Sequence, residues 1–121
     1  MSKHVQWIEH KGKRILFCNF SNFNENQYLE GVDEMEKELM AQQKGSQILH
    51  IVDVTNSTMT QKTSDRGKKT VEILKNTGIA TLTAMVGITG IKKIIAKAIS
   101  KDVFFANDLE TAKDWLIEHG T

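Results

Sequence analysis

The sequence has few features that would tie the protein to an oxidising compartment or to a membrane. It contains one cysteine in 121 residues, so no disulfide can form within the chain, and Cys18 stands in an apolar run typical of a small buried side chain. No uninterrupted run of about 18 apolar residues is present, and the first residues form no apolar segment typical of a signal peptide. We therefore expect a cytoplasmic protein.

An excess of charge of either sign is also missing. Lys and Arg number 16 and Asp and Glu number 15, which gives a formal net charge of +1. Such a balance gives no general attraction to nucleic acid or to other acidic partners. A local basic cluster at Lys62, Arg66, Lys68 and Lys69 has no interleaved aromatic residue that could stack on bases. We expect no nucleic-acid partner.

The patterns that are present indicate a single α/β domain over residues 1–121. Aromatic and branched residues on both sides of the glycine turn at 11–13 predict an N-terminal antiparallel hairpin. Three later apolar stretches predict strands at 46–53, 79–86 and 103–105, and four amphipathic patterns predict helices between and after them. We expect a mostly parallel five-stranded sheet with four helices, and no internal repeat.

The first two predicted helices differ in how much they can bury. Asn24, with Gln27 three residues later, predicts a capping box at the start of the first helix, which Gly45 would end. The stretch 55–70 that leads into the second helix contains Met59 as its only large apolar residue. We therefore expect the first half of the second helix to be loosely held.

The third predicted helix, 91–100, has an apolar stripe and a lysine face. The stripe is expected to pack on the sheet and consists of Ile91, Ile94, Ile95, Ala98 and Ile99. Burying each isoleucine is worth roughly 1.5–3 kcal/mol, so packing within the domain is the first expectation. The same pattern is typical of a helix lying on an anionic membrane, which is the alternative.

The stretch Gly87 to Lys93, GITGIKK, allows two interpretations. Backbone N–H groups at a glycine turn before a helix can hold an anion, and Lys92 or Lys93 would add positive charge. Alternatively, Gly87 and Gly90 let the chain turn sharply and pack closely against its surroundings. The glycine spacing is too short for a P-loop, and we favour the tight corner.

Ligands in such sheets bind beyond the carboxyl ends of the parallel strands, where the strand-to-helix loops meet. Three loops qualify, at 19–24, 53–63 and 87–91, and we expect the turns at 53–57 and 87–91 to be neighbours along one rim. The candidate ligand-binding or anion-binding residues there are Asp53, Thr55, Asn56, Gly87, Thr89, Gly90, Lys92 and Lys93.

No pattern indicates catalysis or a metal site. Cys18 has no activating neighbour, and the histidines are scattered rather than set at the spacing of metal ligands. Asp53 has no assignable partner acid or base, so its plain role is to accept backbone N–H groups of its loop. We expect no catalytic residue, no metal and no cofactor.

Three stretches together resemble the bacterial SpoIIAA-like proteins: ILHIVDVTNS, AMVGITGIKKIIAKAIS and VFFANDLETAKDWL. That group is similar to the STAS domains of anti-sigma-factor antagonists and to the CRAL-TRIO lipid-carrier fold. The resemblance implies a small, cytoplasmic, non-enzymatic domain built as a β-α superhelix, often dimeric, that binds apolar ligands or associates with membranes.

In STAS antagonists a partner kinase phosphorylates a hydroxyl in an Asp-Ser-Ser-Gly pattern. The matching stretch here has Val54 in place of the first serine and Asn56 in place of the glycine. The first hypothesis is therefore a non-catalytic domain that binds a small apolar or amphiphilic ligand, with peripheral membrane contact as one version. The alternative is a regulatory module, acting on a protein partner or as a homodimer and switched by phosphorylation at Thr55 or Ser57.

Overall fold

The computed structural model describes residues 3–90, 93–94, 96–97 and 103–120. The described residues form five strands and three helices: β1 (Val5–His10), β2 (Lys13–Asn19), α1 (Glu25–Met40), β3 (Gln47–Asp53), α2 (Gln61–Thr77), β4 (Ala80–Val86), β5 (Phe104–Ala106) and α3 (Leu109–His119). The described part thus contains three helices rather than the expected four. Of the predicted helix 91–100, the structure describes residues 93–94 and 96–97, which are helical, and the rest lies outside the described residues.

The sheet has the predicted topology. Its strand order is β1-β2-β3-β4-β5, with β1 antiparallel to β2 and every later pair parallel. The hairpin turn places Lys11 and Gly12 at φ values of 51° and 80°. Two consecutive left-handed residues make the tight turn whose twist matches that of the flanking strands.

Each face of the sheet has its own core. Right-handed crossovers that each advance by one strand place α1 and α2 on the same face. There, Leu16 and Val52 of the sheet pack in one cluster with Val32 of α1. On the opposite face, Ile51 packs with Leu116 of α3. Because β3 is covered on both faces, nearly all of its side chains are buried.

The first helix begins as predicted and ends earlier. The Asn24 side chain accepts from the backbone N–H of Gln27, and the Gln27 side chain accepts from that of Asn24, both at 2.9 Å. The helix ends at Met40 and not at Gly45. Leu39 is the last buried residue of its stripe, and the polar residues that follow have nothing to bury against the sheet.

The prediction that Ile94 packs on the sheet is wrong. Ile94 is 70% exposed, whereas Ala96 is 3% exposed and packs in the core. Side chains two positions apart on a helix point about 200° away from each other, so Ala96 and Ile94 cannot share a face. The other members of the predicted stripe, Ile91, Ile95, Ala98 and Ile99, lie outside the described residues.

Candidate functional site

A cavity of about 430 Å³ lies between the sheet and the helices α1 and α2. This volume is within the range of roughly 300–1,000 Å³ that small-molecule sites occupy. Apolar side chains form most of the wall, among them Phe20, Val32, Met35, Leu39, Val52 and Met85. The cavity is therefore an apolar space inside the domain, on the face that α1 and α2 cover.

The composition of α2 explains why this space is not filled. Thr63, Gly67, Thr70 and Val71 line the cavity and repeat at helical spacing along one side of α2. Small or polar side chains at these positions leave room that leucines would occupy. Leu74 is the one apolar residue of α2 that is buried, whereas Thr63 and Ser64 in its first half are buried polar residues, and a loosely held first half stays a prediction.

Polar contacts hold α2 against α1. Arg66 donates to Asp33 at 2.9 Å and to Glu36 at 3.0 Å, and the Thr70 hydroxyl donates to Glu36 at 2.8 Å. The hydrogen bond from Arg66 is the main reason that the pKa of Glu36 is lowered. This anchoring holds α2 against α1 in addition to the core contacts of Leu74, and it engages Arg66 of the predicted basic cluster within the domain.

The cavity opens beside the last turns of α2 and the start of β4. Val71 lines the cavity and is 39% exposed. Lys75 and Ala80 also line it and are exposed. A small molecule would therefore enter beside these residues, which we call the mouth.

Three polar side chains are joined on the sheet side of the cavity. His50 and Thr83 lie opposite each other in the register of β3 and β4, and both line the cavity. The distance from His50 Nδ1 to Thr83 Oγ1 is 3.3 Å, and that from His50 Nε2 to Cys18 Sγ is 3.5 Å. We call Cys18, His50 and Thr83 the polar trio.

Burial sets the protonation of the polar trio. It lowers the pKa of His50 to about 4, so the imidazole is neutral at pH 7. Burial, with a smaller effect from Glu34, raises the pKa of Cys18 well above its usual range. A thiol held protonated in this way is a poor nucleophile.

At the carboxyl edge of the sheet the three predicted loops meet. The backbone N–H of Asn22 donates to Thr55 O at 2.8 Å, and that of Val54 donates to Val86 O at 2.9 Å. Gly87 lies directly against Thr55. The prediction that the turns at 53–57 and 87–91 are neighbours along one rim is therefore confirmed.

The first two of these loops have the same local structure. Asn19 Oδ1 accepts from Ser21 N at 3.2 Å and from Ser21 Oγ at 2.6 Å. Asp53 Oδ1 accepts from Thr55 N at 3.0 Å and from Thr55 Oγ1 at 2.6 Å. In each loop the next residue is an asparagine, with φ of 60° or 55°. The sequence analysis missed this repeat, whose signal is the matching order of residues in NFSN and DVTN after two adjacent strands.

In the stretch GITGIKK, the first glycine makes the tight corner that we favoured. Gly87 has φ of 81°, and a Cβ there would overlap Thr55 Oγ1 and lie 2.8 Å from Thr55 Cα. Thr89 and Gly90 are exposed, and Lys93 Nζ lies 5.8 Å from the centre of the Phe105 ring. Lys92 lies outside the described residues. Anion binding by this turn stays a prediction.

The cavity and the predicted site residues at the rim do not coincide, although Phe20 and Met59 of two of the rim loops line the cavity. The mouth lies near Ala80 at the start of β4, whereas the rim begins after Val86, about 20 Å away along the strand. The described members of the predicted site do not line the cavity: Asp53, Thr55, Asn56, Gly87, Thr89, Gly90 and Lys93. Ligand binding by these residues stays a prediction about the rim, and sequence reasoning did not identify the cavity lining as a site.

The two candidate phosphorylation sites are engaged within their loop. Ser57 is 2% exposed, and its hydroxyl donates to Val54 O at 2.8 Å. The Thr55 hydroxyl donates to Asp53, and its side chain lies against Gly87. Phosphorylation at either residue stays a prediction, and it would require the loop to open.

The search for metal ligands gives no candidate over the described ranges, where no group of three or more His, Cys, Asp or Glu side chains could hold an ion. His10 Nε2 lies 2.8 Å from Asp114 Oδ1, and His119 stacks on Trp115 with the ring centres 4.6 Å apart. These histidines therefore have separate partners. In the part of the chain that the structure describes, no helix is both long and apolar enough to cross a bilayer.

Comparisons with known proteins identify the fold. No family model and no curated protein matches the sequence. The structure is similar to the crystal structure of an uncharacterized protein of the DUF3478 family from Shewanella loihica PV-4, which is described as having a SpoIIAA-like fold. The TM-score is 0.63 at 14% sequence identity, over 93% of this chain and 91% of that chain. The expected SpoIIAA-like fold is thus confirmed, and the likeness to STAS domains and to CRAL-TRIO carriers stays a prediction.

Proposed function

We propose that this chain is a non-catalytic domain that binds a small apolar or amphiphilic molecule in the cavity between the sheet and the helices. The cavity itself is the observation that carries the proposal. Protein interiors are normally close-packed, and side chains that face empty space lose their dispersion contacts. The cavity has a volume of about 430 Å³ and a largely apolar wall, so an apolar ligand of matching size would restore these contacts.

The volume limits the size of the ligand. At ~30 Å³ for each non-hydrogen atom, taken from the volume share of a water molecule, the cavity encloses roughly 14 such atoms, and a slightly larger molecule such as 1-N-phenylnaphthylamine can extend into the open mouth. A single medium-length chain or a small ring system fits this limit. A two-chain phospholipid is several times too large to be enclosed.

Blocking the mouth tests this proposal. Val71→Phe places a phenyl ring at a position that is already 39% exposed, so the fold should tolerate the substitution. We expect the affinity for the fluorescent apolar probe 1-N-phenylnaphthylamine to fall about 10-fold, because the ring occupies the entrance. Glu72→Phe is the matched control, since Glu72 is an exposed neighbour outside the cavity lining. Equal affinities of the two variants, or no saturable binding to the wild type, would argue against a ligand in the cavity.

A membrane surface as the source of the ligand has support from one exposed patch. Ile94 is 70% exposed, and the neighbouring Lys93 and Lys97 are also exposed. Each lysine Nζ lies 5.8 Å from the centre of the Phe105 ring. An apolar side chain between cations is suited to an anionic bilayer, where the isoleucine inserts and the lysines meet the headgroups.

Vesicle sedimentation tests the membrane contact. We expect the wild type to bind vesicles of phosphatidylglycerol and phosphatidylcholine, and Ile94→Ser to bind about 10-fold more weakly because it loses the inserting side chain. Met40→Ser serves as the control, since Met40 is another exposed apolar residue and lies at the end of α1. A wild type that stays in the supernatant, or an Ile94→Ser variant that sediments like the wild type, would contradict membrane contact.

The regulatory alternative has weaker support. Thr55 occupies the position after a strand ending in Asp, as in STAS antagonists, but its hydroxyl and that of Ser57 are both engaged within the loop. A protein partner and a homodimer stay predictions.

A further inference from the structure

We infer that the ligand of the cavity carries one neutral oxygen function, a hydroxyl or a carbonyl, and that Thr83 hydrogen-bonds to this group with His50 behind it. The inference rests on the proposed function and names the chemistry of the molecule that the cavity accepts. Its basis is the placement of the polar trio at a largely apolar wall.

The polar groups around the cavity are not equivalent. On α2, the Thr63 hydroxyl donates to Thr60 O at 3.0 Å, and the Thr70 hydroxyl donates to Glu36 at 2.8 Å. Both hydroxyl hydrogens are therefore already used within the domain. Thr83 differs from these two residues, because its partner is an imidazole nitrogen that can either donate or accept, and it differs from Tyr28 and Thr81, which also line the cavity, by its pairing with His50.

The two tautomers of neutral His50 leave Thr83 with different capacities. If the Cys18 thiol donates to Nε2, the hydrogen on Nδ1 donates to Thr83 Oγ1, and the hydroxyl hydrogen of Thr83 is left for the ligand. In the other tautomer Thr83 donates to Nδ1, and its oxygen can accept a hydrogen bond from the ligand. The pair can thus bind an acceptor such as a carbonyl or a group such as a hydroxyl that does both.

The ligand group is neutral because the polar trio offers no compensating charge. His50 is uncharged at neutral pH, as is the Cys18 thiol. Among the described residues that line the cavity, Lys75 is the charged one, and it is exposed at the mouth. A carboxylate placed at Thr83 would lose its hydration without an ion pair, which is strongly unfavourable.

A purely structural role gives no reason for this polar arrangement. Leucine at position 50 would extend the apolar wall without burying an imidazole, whose desolvation lowers its pKa. Natural proteins commonly retain such locally unfavourable groups where function requires them. Contact with the ligand is a use that the position of His50 and Thr83 on the cavity wall provides.

A ligand-by-variant comparison tests the inference. The probes are 1-decanol and 1-chlorodecane, which have similar apolar chains but differ in the hydroxyl, and each displaces bound 1-N-phenylnaphthylamine. Thr83→Val keeps the shape of the side chain and removes its hydroxyl. We expect this variant to bind 1-decanol about 5-fold more weakly, as for the loss of one neutral hydrogen bond. Its affinity for 1-chlorodecane should stay within about 2-fold of the wild type.

Thr111→Val is the control, because Thr111 is an exposed threonine of α3, outside the cavity lining and on the opposite face of the sheet. It should leave both affinities unchanged. As an independent readout, 1-decanol should shift the ¹⁵N NMR signals of the His50 ring in the wild type, and 1-chlorodecane should not.

Three outcomes would overturn the inference. One is an equal loss of both affinities in Thr83→Val, and another is a His50 signal that moves identically with the two compounds. The third is that decanoate binds more tightly than 1-decanol and that Lys75→Gln abolishes this preference. Such a result would show that a charged headgroup binds at the mouth. If neither compound displaces the probe, the proposed function fails, and this inference fails with it.

Discussion

Replacing Gly87 by alanine is expected to lower the free energy of unfolding by about 2–5 kcal/mol. A non-glycine residue in the left-handed conformation costs about 1–2 kcal/mol, and forcing an extra group into a packed site costs roughly 1–3 kcal/mol. Both effects act at Gly87, which has φ of 81° and whose added Cβ would overlap the side chain of Thr55. Urea unfolding followed by circular dichroism measures the loss.

Gly12→Ala separates these two effects. Gly12 has nearly the same φ, 80°, but nothing lies within 4 Å of an added Cβ. This control should lose only the conformational part, about 1–2 kcal/mol. Equal losses for Gly87→Ala and Gly12→Ala would show that the 53–57 and 87–91 turns do not press against each other in solution.

Acidification from pH 6.5 to pH 4 is expected to remove about 3 kcal/mol of stability through His50 alone. Burial lowers the pKa of His50 from 6.5 to about 4 in the folded protein. The unfolded chain therefore takes up this proton at a higher pH than the folded protein does. The contribution of His50 is complete above pH 6.5 and is lost as the pH falls towards 4.

Unfolding free energies measured at half-unit pH steps would show this loss as a slope. His50→Gln should flatten the slope between pH 6.5 and 4, whereas His119→Gln, at an exposed position, should keep it. The lowered pKa values of Glu36 and Asp114 also make stability fall with acidification, beginning at the acid end of this range. A slope that His50→Gln leaves intact would mean that His50 is accessible to solvent, in conflict with its burial in the folded protein.

Local patterns predicted most of the fold because each signal acts over a few residues. The capping box at Asn24 depends on contacts three residues apart, and the turn at Gly12 on its own backbone conformation. The buried run of β3 predicted a central strand covered on both faces, and the clusters on the two faces agree. The prediction for Ile94 was wrong, because the side of its helix that meets the core depends on how that segment packs on the sheet.

The candidate site was predicted only in part for the same reason. Strand ends can be read from the sequence, so the meeting of the three loops at one rim followed from the parallel order. A cavity, by contrast, is a space that several elements leave unfilled. The small side chains of α2 were visible in the sequence as a weak apolar pattern. The sequence did not show whether other residues would fill the gap that they leave.

The sequence by itself determined the order of strands and helices, their limits to within a few residues, and the corner at Gly87, since each follows from short-range conformational preference and apolar periodicity. Only the tertiary structure decided that polar contacts hold α2 against α1 beside a cavity, and that His50 and Thr83 line this cavity with Cys18 next to His50. These residues come from three different strands, and the register of the sheet brings them together.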